Sequence, residues 1–421
     1  MEEREKVVTA SVYDESVTYY DDSLKELNAL VKVAGGDVVA SVTQKVRAYH
    51  PATFMGKGKL LELKHFVQAE GIDLVIFDQT LSGIQMREIE KILETDVLDR
   101  TALILDIFAS RAKTDVGKLQ VYLAQLEYGK SHLIGKKNYS RLGGGIGTRG
   151  PGEQKLEIDR RRIAEDIQRV KKKLKQARKV RDTGRKHRVN GQVPVVALVG
   201  YTNAGKSSIM NRLLRESGAK GRQVYVEDMP FASLDPDTRR IRLPDGLVIY
   251  VTDTVGFISN LPTTLLEAFR TTLEELKESD LIVHVIDGSA EDCALRYETT
   301  RKLLKELDAA EIPSLLFVNK NDRMEGKKLP FHPAEETVVY GSCKYDERFD
   351  YFYDAVQKRI EDFYVKVDLK FTFKEMDLVE TVKGRYPVEK IAYDPDGVTV
   401  TATLPKRSWE RLKGYVRRRY V

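Results

Sequence analysis

The apolar run Val195 to Val199 passes directly into Gly200-Tyr201-Thr202-Asn203-Ala204-Gly205-Lys206-Ser207, and no other stretch of the chain restricts its fold so strongly. A strand that ends in G-x-x-x-x-G-K-[ST] must turn through its glycines and open a helix, which aims a row of backbone N–H groups at one point. That point suits a β-phosphate. Lys206, where the helix opens, then supplies a positive charge between β- and γ-phosphates, and the Ser207 hydroxyl is placed to hold Mg²⁺, with Ser208 next on the same turn.

Three later segments narrow the ligand from a nucleotide to a guanine nucleotide. Asp253-Thr-Val-Gly256 follows an expected strand over 247–252, so Asp253 reaches the metal's surroundings and the Gly256 N–H reaches the γ-phosphate, where it senses whether that group is present. Asn319-Lys320-Asn321-Asp322 follows the apolar run 314–318. A carboxylate at Asp322 accepts from both N1–H and the 2-amino group of guanine, and adenine offers neither donor. Ser342-Cys343-Lys344 is the last of the segments that together describe a guanine-nucleotide pocket. The expected nucleotide-contacting set is therefore Gly200, Tyr201, Thr202, Asn203, Ala204, Gly205, Lys206, Ser207, Ser208, Asn319, Lys320, Asp322, Ser342, Cys343 and Lys344.

Two features bear on catalysis. The position after Gly256, where many Ras-like enzymes carry a water-orienting Gln, is Phe257, which neither accepts nor donates a hydrogen bond, so slow intrinsic hydrolysis is expected. Asn203, three residues after Gly200, resembles the P-loop asparagine of GTPases that bind a monovalent cation, which implies a side-chain carbonyl that holds potassium beside the phosphates and spreads transition-state charge. A polar loop residue held by backbone contacts is the alternative.

The chain's 421 residues imply two to four domains. Its two cysteines, Cys293 and Cys343, rule out a disulfide framework and fit a reducing, cytoplasmic setting; Met1-Glu-Glu-Arg-Glu-Lys is not a signal peptide. No 18-residue apolar stretch calls for a membrane, and a monomer is expected. The formal charge of +6 matters less than where it sits.

Between Lys155 and Arg188 stand 15 Lys and Arg against five Asp and Glu, with apolar Leu156, Ile163, Ile167, Val170, Leu174 and Ala177 at helical spacing. The spacing predicts a long helix with a coiled-coil seam and a basic outer face. Val116, Leu119, Leu123 and Leu126 repeat similarly upstream, so the two stretches can pair as an antiparallel helical hairpin around the glycine-rich 141–152. Gly145-x-Gly147-x-x-Gly150 in that tip lacks the flanking strand and helix of a dinucleotide fingerprint. A linker and a basic finger that orders on RNA both remain open for it, as do a solvated face and an RNA-binding face for the helix.

The expected fold is a multidomain α/β chain: an N-terminal α/β subdomain over 1–110 with strands at 37–42, 73–77 and 102–107, a hairpin over 111–192, a P-loop domain over 193–363, and a small α+β domain over 364–421. In the P-loop domain a hairpin pairs 240–243 with 247–251, and 281–286 is a buried strand. The last domain has strands at 365–372 and 397–404, then a helix carrying Trp409 and a basic ending from Arg417. Gly56-Lys57-Gly58-Lys59 permits ATP or RNA, or is a plain surface turn.

Pro51-Ala-Thr-Phe-Met-Gly-Lys-Gly-Lys, Ile76-Phe-Asp-Gln-Thr-Leu-Ser, Asp99-Arg-Thr-Ala-Leu-Ile-Leu-Asp-Ile-Phe-Ala, Gly117-Lys-Leu-Gln-Val-Tyr-Leu-Ala-Gln-Leu and the Gly147-Thr-Arg-Gly-Pro-Gly-Glu tip closely resemble the HflX GTPases over essentially the whole chain. The resemblance implies a Ras-like G domain, binding to the large ribosomal subunit and its rRNA, and GTP-dependent splitting or rescue of stalled ribosomes under stress, with the hairpin tip approaching the peptidyl transferase centre. Two departures stand out. Phe231-Ala232-Ser233-Leu234-Asp235 has Ser where the family's switch has Thr; Ser233 keeps the hydroxyl for Mg²⁺ but loses the χ1-stiffening branch, which leaves Thr238 as a second choice. Cys343 stands where the family usually has Ala, and its small side chain keeps the backbone contact to the guanine O6 that the resemblance implies. The implied catalytic set is Lys206, Ser233, Asp253, Gly256 and Asn203, with Ser207, Ser233 and Asp253 around the metal. A signalling or transport switch that recruits proteins, or a ribosome-assembly GTPase, is the alternative.

Overall fold

The computed structural model describes residues 4–15, 20–133, 151–189, 193–217, 237–258, 274–335, 337–347, 349–406 and 412–420. Ser233, residues 141–150 of the glycine-rich tip and Trp409 lie outside them, while a helix does open at Pro151, where none is expected from the sequence. The chain divides into two units, residues 1–178 with 228–234 and 259–271, and residues 179–227 with 235–258 and 272–421.

In the first unit, β1 (Lys6–Tyr13), β2 (Asp37–Lys45), β3 (Leu74–Phe77) and β4 (Asp96–Asp99) form a parallel sheet in the order β2-β1-β3-β4. The central β1 is buried on both faces: Val8, Ala10 and Val12 point one way and Val7, Thr9 and Ser11 the other. Thr9 meets its polar needs inside, with its hydroxyl 2.7 Å from Asn28 Oδ1 and 2.9 Å from Ser41 Oγ. Helices α1 (Tyr20–Ala34), α2 (Lys57–Glu70) and α3 (Gly83–Leu93) separate the strands; a reciprocal Ser82–Gln85 capping box starts α3.

The apolar stretch 102–107, expected as a strand, is instead part of helix α4 (Arg100–Arg111). The Asp99 carboxylate accepts from the Ala102 N–H at 2.8 Å and so caps the helix, and Thr101 to Leu105, Ile107 and Phe108 are all buried. A run that is apolar all round fits a buried helix as well as a buried strand, and here the N-cap decides.

Helix α5 (Asp115–His132), capped by Thr114, packs on α6 (Pro151–Val189) through Leu123, Ile167 and Val170, flanked by Leu119, Leu126, Ile163 and Leu174. These are the residues selected by the 3–4 spacing. Lys171 is exposed on the outer face and also pairs its ammonium with Glu127 of α5 at 2.9 Å.

The second unit begins with a six-stranded sheet in the order β10-β9-β8-β5-β7-β6, comprising β5 (Val195–Gly200), β6 (Asp237–Arg242), β7 (Val248–Asp253), β8 (Leu281–Asp287), β9 (Ser314–Asn319) and β10 (Val338–Tyr340). All pairings are parallel except β6 with β7, which turn back through Pro244-Asp245-Gly246. The first strand, β5, lies between β8 and β7, so the sheet changes winding direction at its carboxyl end, the place where α/β sheets open a crevice. Helix α7 (Lys206–Glu216) leaves from there.

A four-stranded antiparallel sheet follows, in the order β12-β13-β11-β14, with β11 (Tyr364–Phe371), β12 (Val388–Asp394), β13 (Gly397–Pro405) and β14 (Val416–Tyr420). Alternate residues Val365, Val367, Leu369 and Phe371 meet Val398, Val400, Ala402 and Leu404 under the helix Met376–Arg385. The basic ending is the edge strand β14. The Tyr364 hydroxyl donates to the Val248 carbonyl at 2.7 Å and ties the two sheets together.

Candidate nucleotide site

The loop after β5 is shaped by backbone needs. Gly205 has φ +101, and a Cβ there would lie 2.1 Å from Asn319 Nδ2, so only glycine lets the loop close over Asn319. Lys206 folds its ammonium back under the loop and donates to the carbonyls of Gly200 at 3.0 Å and Tyr201 at 2.8 Å. It is fully buried, and burial lowers it to about 8 against the pull of Asp253.

Asp253, at the end of β7 beside Leu198, sits against this lysine. Its Oδ2 accepts from the Ser207 hydroxyl at 2.6 Å, whereas its buried Oδ1 has no partner among the described residues. Burial raises its pKa, with Lys206 and Ser207 opposing. A buried carboxylate oxygen left unpaired next to a hydroxyl is the donor set a hard oxygen-seeking cation completes, so these residues fit Mg²⁺.

Gly256 lies close by: a Cβ there would stand 2.9 Å from Thr202 and 3.2 Å from Lys206 Nζ. A short bridge holds it in place, with the Thr202 N–H donating to the Phe257 carbonyl at 2.7 Å and the Phe257 N–H to the Gly200 carbonyl at 3.1 Å. The Phe257 ring is buried. Tyr201 is buried too, with the Arg296 guanidinium 5.0 Å from its ring centre. Asn203 is exposed at φ +60, Ala204 is buried, and Ser208 is half-buried on the first turn of α7. Thr238 sits in β6 with its hydroxyl 3.0 Å from that of Thr252.

The base side is organised differently. Asn319 is buried at the end of β9, where its Nδ2 donates to the Ala204 carbonyl at 2.8 Å and its Oδ1 accepts from the Cys343 N–H at 3.1 Å. Its carboxamide therefore staples the phosphate loop to the 342–347 loop, a linking use that the motif did not reveal. Lys320 takes φ +59 and pairs with Asp287 at 2.7 Å. Asp322 is exposed at the mouth, with Arg323 3.9 Å away.

In the 342–347 loop the Ser342 N–H donates to Asp346 Oδ2 at 2.6 Å, and the Ser342 hydroxyl accepts from the Tyr345 N–H at 3.3 Å. Tyr351 also donates to Asp346. The Cys343 thiol is buried, which pushes it up and keeps it a small neutral group, and Lys344 is exposed. The structure thus gathers the Gly200–Ser208 loop, Asp253, Gly256, Asn319, Lys320, Asp322 and Ser342–Lys344 at one end of the sheet, with Ser233 outside the described residues.

Sequence reasoning missed Asp346 and Arg212. Arg212 has a detectable signal: it is a cation among the buried Ile209, Met210 and Leu213 of α7.

Residues 21–109 match the family described as GTP-binding GTPase N-terminal, 111–188 the GTP-binding GTPase Middle Region, and 195–320 the 50S ribosome-binding GTPase family. Proteins named GTPase HflX are similar along most of the chain. One from Caldanaerobacter subterraneus subsp. tengcongensis is 41% identical over 397 residues, covering 94% of this chain and 90% of its own. Those from Alkalihalophilus pseudofirmus and Escherichia coli are 46% and 38% identical, covering 76% and 93% of this chain and 74% and 92% of their own.

Proposed function

This chain belongs to the HflX family of GTPases, and from that premise we propose that in its GTP state it binds the large ribosomal subunit and splits or rescues stalled ribosomes under stress, with hydrolysis controlling release. The observation that carries the reading is the basic face of α6, where Arg160, Arg161, Arg162, Lys172, Lys173 and Lys175 are exposed on a helix packed against α5. A switch that recruits only proteins has no evident need of such a face, whereas rRNA phosphates do attract it.

Within the site, Lys206 lies between the β- and γ-phosphates and Gly256 reports on the γ-phosphate. Asp322 reads guanine N1–H and the 2-amino group, and the Ser342–Lys344 backbone reads O6. Since the Cys343 N–H already serves Asn319, O6 must share that donor or use its neighbour. Ser207 and Asp253, joined by Ser233, hold Mg²⁺. Bound by these residues, Mg²⁺ would supply positive charge against the negative charge that develops on the phosphates. Asn203, exposed on the loop, adds a ligand for potassium.

Nothing in the Phe257 side chain can orient water, so the intrinsic rate is slow and the ribosome completes the site. The test is co-sedimentation of the chain with purified large subunits in a GTP analogue or in GDP, together with GTPase rates. Binding that follows the GTP analogue, and turnover at least about tenfold higher on ribosomes, a low floor beside known activators, support the reading. Nucleotide-independent binding and equal rates defeat it. In a parallel assay with intact ribosomes, binding without dissociation of the subunits points instead to subunit assembly.

A further inference from the structure

We propose that Arg212 is the positioning residue that sets the base-reading loop against the phosphate-binding helix, and so governs how tightly and how selectively guanine is held. The inference rests on the proposed role of Ser342–Lys344 in reading guanine O6.

Arg212 lies on α7, the helix that Lys206 opens, and is 4% exposed. Its guanidinium spreads over three acceptors: Nη1 donates to the Cys343 carbonyl at 3.2 Å, Nη2 to the Glu347 carbonyl at 3.4 Å, and Nε to Glu216 at 2.7 Å. Tyr353 donates to the other Glu216 oxygen at 2.7 Å, and the Phe349 ring lies 4.3 Å beneath the guanidinium. The Cys343 main chain is therefore held at both polar groups, the N–H by Asn319 and the carbonyl by Arg212. Asn319 in turn holds the Ala204 carbonyl of the phosphate loop. Phosphate loop, Asn319, Cys343, Arg212 and α7 thus form a closed ring of contacts.

A planar five-donor fork meets three separated acceptors, which a lysine's single ammonium cannot match. A buried cation balanced in this way holds its neighbours in one arrangement, and removing its fork leaves two carbonyls and Glu216 without their partner. Among the described residues the polar partners of the Arg212 guanidinium are Glu216 and the carbonyls of Cys343 and Glu347. The effect of Arg212 on the base passes through residue 343.

The experiment uses the full chain with Arg212→Met, which keeps the volume and removes the fork, and Arg212→Lys, which keeps the charge. Glu216→Gln is a milder variant that loosens Arg212 from behind. Release of ribose-labelled fluorescent GDP is expected to be roughly tenfold faster in Arg212→Met, about the weight of one hydrogen bond from a charged group. Arg212→Lys and Glu216→Gln should fall in between. The GTP KM should rise with little change in kcat. Preference for GTP over 6-thioguanosine triphosphate, in which sulfur replaces O6 while N1–H and the 2-amino group stay, should shrink, while preference over inosine triphosphate, which lacks only the 2-amino group, persists.

Wild-type release and selectivity in Arg212→Met overturn the proposal, as does an equal loss of both preferences or of kcat, which would give Arg212 a general supporting role. If Arg212→Met does not fold, the two milder variants decide by the same readouts. Asp322→Asn separates the premise from the inference: a shift to xanthine nucleotide in that variant beside a silent Arg212→Met sinks this proposal alone, and unchanged guanine preference in Asp322→Asn sinks the base reading beneath it.

Discussion

The phosphate half and the base half of the nucleotide site stand on the same sheet edge yet are built on opposite principles. In the phosphate half the charged groups themselves are buried: Lys206 and Asp253 face each other out of water, and Ser207 bonds directly to the carboxylate. In the base half the proposed reader, Asp322, is exposed, and the buried polar groups Asn319 and Arg212 hold only main chain and one another's loops. The lesson concerns separability. Charge buried with its partners makes binding, protonation and local packing one problem, whereas an exposed reader on a stapled loop can be changed with little effect beyond recognition.

The largest expected effect crosses the seam between the halves. Gly205→Ala puts a Cβ at 2.1 Å from Asn319 Nδ2 in a left-handed backbone position, so Asn319 must release Ala204 or Cys343. GDP affinity by calorimetry should fall on the order of 10² to 10³, the weight of backbone strain plus a lost buried hydrogen bond. Near-wild-type affinity would show that the two halves are not coupled through Asn319.

Asp322→Asn should come next, with GTP affinity down about 10², in line with an unpaired polar group in a recognition site. Xanthosine triphosphate should gain, because its carbonyl can accept from the new amide. Hydrolysis at saturating nucleotide should hold. If kcat falls along with affinity, the base half is as tightly coupled to chemistry as the phosphate half and the contrast fails.

The smallest expected effect is a proton. In the nucleotide-free protein burial lowers Lys206 to about 8, so between that pH and its unfolded value of about 10.4 the folded state holds fewer protons than the unfolded one. This group's contribution to stability therefore rises with pH across that window, and below it the buried charge is a cost. The phosphates of GDP restore the charge. Binding at pH 8 should then take up about half a proton, and affinity should decline as pH rises further. Calorimetry in buffers of different ionisation heat measures the uptake, and Lys206→Arg, which stays protonated, should abolish it. Absence of uptake in the wild-type chain would remove the desolvated lysine from the comparison, and uptake altered by Asp322→Asn would assign the proton to the wrong half.

Legibility followed the same division. The phosphate loop, Asp253 with Gly256, and Asn319 with Asp322 are local signals, because a turn that must approach a phosphate constrains adjacent residues to a fixed spacing. The hairpin seam was equally readable from period alone, down to Leu123, Ile167 and Val170. The apolar 102–107 was not, since a helix buried all round has no period to read, and its Asp99 cap carried the information instead. Nor did the Arg-rich ending announce itself as β14, an edge strand whose pairing to β11 depends on residues some fifty positions earlier.

By itself, then, the sequence determined the spacing of the phosphate-loop, Asp253–Gly256 and Asn319–Asp322 segments and the seam of the helical hairpin, because those constraints act between neighbours along the chain. Only the tertiary structure decided that Asn319 would spend its carboxamide on Ala204, 115 residues away, and that Arg212 would grip Cys343 across 131. A buried hydrogen-bonding group takes whichever partner the packed sheet and helix bring within about 3 Å, and that choice is made by geometry that no local spacing records.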